Sequence, residues 1–83
     1  MRTTKELLVI MLENINNGRF QYGLCGLVDR LFNYNIIGGE EYNRLMTIIQ
    51  ENRPKSTYDG EWYWKPGIKK PRVNWLNTQI EKL

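Results

Sequence analysis

The chain contains no histidine and a single cysteine, Cys25. Histidine is the side chain that most often moves protons near neutral pH, so the commonest general base is missing. Without an imidazole, Cys25 also lacks the partner of a Cys–His nucleophile. One thiol cannot close an internal disulfide, and one thiol without imidazoles cannot assemble a zinc-type cluster. No glycine-rich phosphate loop of the P-loop or dinucleotide kind is present. The apolar run Leu7 to Leu12 is six residues long and lies between Glu6 and Glu13, far short of the about 20 residues that span a bilayer. The acid pairs Glu40/Glu41 and Asp59/Glu61 have ordinary explanations as helix-start and turn residues. These absences argue against an enzyme, a cofactor and a membrane span. One cysteine and no recognisable secretion signal make the cytoplasm the expected location.

What remains is a chain of 83 residues, read as one domain over residues 1–83. A domain of this size buries only about 60–65% of the surface its unfolded chain exposes. Its single core then supplies a modest stability of about 3–5 kcal/mol. Self-association is the remaining route to more buried area, so a homo-oligomer is expected.

Hydrophobic periodicity marks four helical stretches. Thr3-Thr4-Lys5-Glu6 reads as a capping box, and Leu8, Met11, Leu12 and Ile15 recur at helical spacing before the stop at Asn17-Gly18. The first helix is placed at about 4–16. Leu7, Val9 and Ile10 fall outside its main stripe, so this helix is either central or presents a second face to another subunit. The second helix runs from about Tyr22 to Tyr34, with Leu24, Leu27, Val28 and Leu31 inward and Cys25 and Phe32 on a flanking core face. A third starts at Glu40, pairs Glu40 with Arg44, turns Tyr42, Leu45, Met46 and Ile49 inward, and stops near Asn52 ahead of Pro54. The last begins at Pro71, with Val73, Leu76, Ile80 and Leu83 inward. The expected fold is all-α: a small bundle of three or four short helices, with an aromatic-rich loop or short hairpin before the last.

That connecting segment concentrates the chemistry. Residues 1–50 balance five basic side chains against five acidic ones, whereas residues 51–83 carry seven basic against four acidic. The whole net charge of +3 therefore lies in the last third. All three tryptophans, Trp62, Trp64 and Trp75, fall there too. Between Arg53 and Lys70 the turn signals Pro54, Asp59-Gly60 and Pro66-Gly67 replace helical periodicity, and Asp59-Gly60 suits a two-residue hairpin. On such a hairpin Trp62 and Trp64 share a face and Tyr63 points away. Two readings stand side by side. In one, Arg53, Lys55, Lys69, Lys70 and Arg72 hold phosphate while Tyr58, Trp62 and Trp64 stack on a base. In the other, the aromatic rings supply core area, Trp75 joins its neighbour Leu76, and the cations form an ordinary solvated face.

Trp62-Tyr63-Trp64-Lys65-Pro66-Gly67, followed by Pro71-Arg72-Val73-Asn74-Trp75-Leu76, resembles a recurring ending of small bacteriophage and prophage proteins. Leu24-Cys25-Gly26-Leu27, Glu40-Glu41-Tyr42 and Asn52-Arg53-Pro54 are similar to the same group, so the resemblance covers about residues 20–83. It implies a phage accessory protein acting in the host cytoplasm, of the kind that counters host defences. From the charge asymmetry of the last third, the expected ligand is a nucleotide signal or cyclic oligonucleotide. The alternatives are a protein–protein inhibitor of a host factor, in the manner of an anti-CRISPR protein, and a minor structural component of the virion.

Overall fold

Why the first helix starts where it does is settled by Thr3. Its hydroxyl accepts from the Glu6 backbone N–H at 3.2 Å, and the Glu6 carboxylate accepts from the Thr3 N–H at 2.9 Å. This reciprocal cap satisfies two donors that a helix start otherwise leaves open. A computed structural model of the chain describes residues 2–18, 23–52 and 69–83, with Pro71 given by its backbone alone. Over these residues the protein forms four helices: α1 (Thr4–Asn16), α2 (Leu24–Asn33), α3 (Gly39–Glu51) and α4 (Lys69–Glu81). No strand occurs among the described residues. The all-α architecture expected from the sequence is the one observed. The expected loop or hairpin at Asp59-Gly60 lies outside the described residues.

Helix ends follow local chemistry. After α1, Gly18 takes a φ of 68° and its N–H reaches the Ile15 carbonyl at 3.1 Å. After α2, Asn35 takes a φ of 61°, its N–H bonds the Phe32 carbonyl at 3.0 Å, and the Ile36 N–H bonds that of Leu31 at 2.9 Å. This is the Schellman closure, with asparagine in the left-handed position usually held by glycine. It turns Ile36 and Ile37 back onto the core.

The helices stack so that α1 packs against both α3 and α4, while α2 pairs with α3. The core joins Leu7, Leu8, Met11 and Ile15 of α1, Leu24, Leu27, Val28 and Leu31 of α2, Ile37, Leu45 and Ile49 around α3, and Trp75 and Leu76 of α4. Of the two uses expected for the broad apolar surface of α1, the central position is the one observed. Leu7 is buried and Ile10 and Leu12 pack on the same core from its flanks, while Val9 stays half-exposed outside it.

Two expectations need correction. Phe32, expected in the core, is 42% exposed. The inner face of α4 is not Val73, Leu76, Ile80 and Leu83. The buried residues are Arg72, Trp75, Leu76 and Gln79, while Val73 and Ile80 are half-buried and Leu83 is 64% exposed. The helix is therefore turned so that one large ring and one leucine, rather than four aliphatics, enter the core.

Candidate functional site

Of the eight residues expected to bind a ligand, Arg53, Lys55, Tyr58, Trp62 and Trp64 lie outside the described residues. Lys69 and Lys70 are exposed on the first turn of α4, which carries no acidic side chain. The backbone N–H groups that open a helix add positive potential at this end, so two lysine charges and the helix dipole act in the same sense.

Arg72 behaves differently. It is only 2% exposed, and burial pulls its guanidinium pKa below the usual arginine range. The expectation that every cation of the segment lines an open surface is thus corrected at this position. The reason is its register on α4, where Arg72 falls three residues before Trp75 and so shares its inward side.

Trp75 is 4% exposed and its indole N–H donates to the Asn52 carbonyl at 3.2 Å. Of the two readings of this ring, the structural one describes it. The bond also fixes a distance relation, because Asn52 closes α3 and Trp75 lies two turns into α4. The indole thereby ties the place where the chain leaves α3 to the helix on which it returns. Lys69 sits six residues before Trp75, about 9 Å along the helix axis. The cationic turn is held at a set position relative to the end of α3.

A polar cluster that sequence reasoning missed joins the start of the chain to α3. Arg2 donates to Glu41 through Nε at 3.0 Å and Nη2 at 2.9 Å, and Nη2 also reaches the Ile36 carbonyl at 2.6 Å. The Glu41 carboxylate further accepts from the Gly38 N–H at 2.9 Å, capping α3. The Arg2 guanidinium first, and then the Gly38 N–H, hold the Glu41 carboxyl down to a pKa of about 2. Arg44 pairs with Glu40 at 3.0 Å, as its spacing predicts, and also donates to Thr4 Oγ1 and the Arg2 carbonyl, both at 3.1 Å. A hollow of about 680 Å³ opens beside this cluster, lined by Arg2, Glu6, Gly38, Gly39, Glu40 and Glu41. Arg2 and Glu41 neutralise one another there, and the cluster reads as an N-terminal fastening. Sequence spacing holds no signal for the Arg2–Glu41 contact, whose partners are 39 residues apart.

The second surface of interest lies over the α2–α3 seam. The Phe32 and Tyr42 rings meet at 5.2 Å between centroids with a tilt of 50°. The Tyr42 hydroxyl donates to Asp29 Oδ1 at 2.7 Å, and this bond to a carboxylate raises the phenol pKa. Tyr34, at 60% exposure, follows at the end of α2. Aromatic rings left at a surface are the residue type most enriched at binding hot spots. A Cβ on Gly39 would lie 3.9 Å from the Phe32 ring, an ordinary van der Waals contact, so the glycine pair is no signal for this aromatic surface.

Among the described residues no group of three or more acidic or sulfur side chains is arranged to hold a metal ion, and no helix is long and apolar enough to cross a membrane. No protein-family model, characterised protein or solved structure matches the chain.

Proposed function

We propose that the protein is a non-catalytic binding protein, a phage accessory factor of the host cytoplasm that captures a phosphate-bearing ligand such as a nucleotide signal or cyclic oligonucleotide. The observation that carries this reading is the acid-free, solvent-facing Lys69-Lys70 turn at the start of α4. Phosphate oxygens are favoured where lysine charge and helix-start N–H groups coincide. Arg53, Lys55, Tyr58, Trp62 and Trp64 enter the proposal from sequence alone. Arg72 leaves it as a contact residue and becomes a residue that positions α4.

The test is a thermal-shift screen against mono-, di- and cyclic nucleotides, repeated with Lys69→Glu/Lys70→Glu. Binding that weakens steeply with added salt and is lost in the double variant supports the reading. No shift with any nucleotide overturns it.

A second reading, inhibition of a host protein, is favoured by the exposed Phe32 and Tyr34 rings, with the half-buried Tyr42 ring packed against Phe32. Here Phe32→Ala and Tyr34→Ala abolish capture of a host partner while the lysine variant retains it, and salt has little effect. A virion component, the third possibility, is separated by its presence in purified particles. Self-association belongs with these proposals and is tested by light scattering against the chain mass of 9.9 kDa.

A further inference from the structure

The two outer helices of the stack are held by very different surfaces. α2 presents Leu24, Leu27, Val28 and Leu31 to the core, four aliphatic side chains with no measurable exposure. α4 presents Arg72, Trp75, Leu76 and Gln79 at the same i, i+3, i+4, i+7 spacing, so half of its inner face is polar. Burying a guanidinium or a carboxamide replaces its hydration with protein contacts and leaves little net gain, whereas burying leucine is favourable throughout. Among the described residues, the flanks of α4 add the half-buried Val73 and Ile80. Its main packing partner is α1, and α1 itself buries Asn14, whose Oδ1 has no hydrogen-bond partner among the described residues. To the neighbouring α3, α4 is tied by the Trp75–Asn52 bond.

From this asymmetry we infer that α4 opens from α1–α3 as a unit, at a lower free energy than global unfolding. Proteins open in contiguous units whose stability follows their buried apolar contact. Opening bares the Trp75 and Leu76 side chains together with the part of α1 they cover, and carries the Lys69-Lys70 turn away from the end of α3. The inference does not depend on what the protein binds.

Native-state amide hydrogen exchange over a urea series tests it, comparing Trp75–Thr78 of α4 with Val28–Leu31 of α2. After correction for intrinsic rates, the α4 amides exchange at least about tenfold faster and with a shallower urea dependence. Val28→Ala provides the decisive cycle. Val28 stays buried when only α4 opens, so the substitution speeds exchange in α2 by about tenfold or more and leaves the α4 rates unchanged. Gln79→Leu adds apolar contact and cannot fail by unfolding the protein. Its contacts are lost in either opening, so it slows exchange in both helices by one common factor. Equal free energies and equal urea dependence in α2 and α4, or acceleration of both by Val28→Ala, overturn the inference.

Discussion

Replacing Asn14 with leucine is expected to make the protein more stable. Asn14 is 8% exposed on the inner side of α1; its Nδ2 donates to the Ile10 carbonyl at 2.7 Å, and among the described residues its Oδ1 has no hydrogen-bond partner. The orientation of the amide is fixed by that donor bond, because exchanging the two ends would point Oδ1 at another oxygen. A desolvated acceptor left unpaired costs about 1–3 kcal/mol. Leucine has the same branched outline without the polar atoms, and it is a better helix former by a few tenths of a kcal/mol, or about 0.5. The bond it removes is a small loss, since the Ile10 carbonyl keeps its ordinary partner, the residue 14 backbone N–H. The net expectation is a gain of about 1–2 kcal/mol, which for a domain of this length raises Tm by about 5–15 °C. Circular dichroism melts and urea titration measure it. An unchanged or lowered midpoint refutes the reasoning, and would mean that Oδ1 is hydrogen-bonded in solution, to water or to another part of the chain. Asn14→Asp is the counterpart: it places a carboxylate at the same buried position and lowers stability.

Arg72→Ala lowers stability by about 1–3 kcal/mol through lost packing and lost polar contact, whereas Lys69→Glu/Lys70→Glu shifts the melting midpoint little; the reverse order in a urea titration would contradict the burial of Arg72. Leu31→Ala, at a site with no exposure, removes about 2–5 kcal/mol, a loss comparable to the total stability, so its far-ultraviolet spectrum at room temperature shows a largely unfolded chain. The Glu41 carboxyl titrates at about 2 when folded against an ordinary value of 4.5, so its contribution is fully present above that ordinary value and is lost as pH falls from there toward 2. Urea midpoints measured across that range fall less steeply for Glu41→Gln. What slope remains includes Glu6, whose carboxyl is also lowered, first by the Thr3 N–H and then by the Thr3 hydroxyl.

The parts of this fold that were legible in the sequence are those governed by neighbours along the chain. The Thr3–Glu6 cap, the Gly18 stop, the leucine stripe of α2 and the Glu40–Arg44 pair each depend on residues within a few positions. The Arg2–Glu41 fastening was not legible, because two charges at opposite ends of a 39-residue interval meet only once α1 and α3 have packed. Phe32 was misread for a related reason. Its seven-residue spacing from Cys25 places both on one flank of α2, but whether that flank is covered depends on how α3 approaches. The candidate site was legible only as composition. Lys69 and Lys70 stand where cations were expected, while Arg72, in the same short run, turns inward.

The phase of α4 shows why composition misled there. Val73, Leu76, Ile80 and Leu83 form the more apolar stripe, and aliphatic count alone would turn them inward. A tryptophan covers about 150–250 Å² when buried, as much as a large aliphatic or more, and it carries an N–H that needs an acceptor. The Asn52 carbonyl, at the end of α3, meets that need. Turning α4 to bury Trp75 keeps Leu76 inside, leaves Val73 and Ile80 on the flanks, and brings in Arg72 and Gln79 because they share the ring's side of the helix. The polar half of this interface is thus a consequence of seating one indole. Trp75→Leu removes the reason for that phase: the helix is then free to turn toward Val73 and Ile80 and release Arg72 to solvent. The Arg72 side-chain resonances in an NMR spectrum report this directly. If they keep their buried signature in the variant, the indole does not set the orientation of α4.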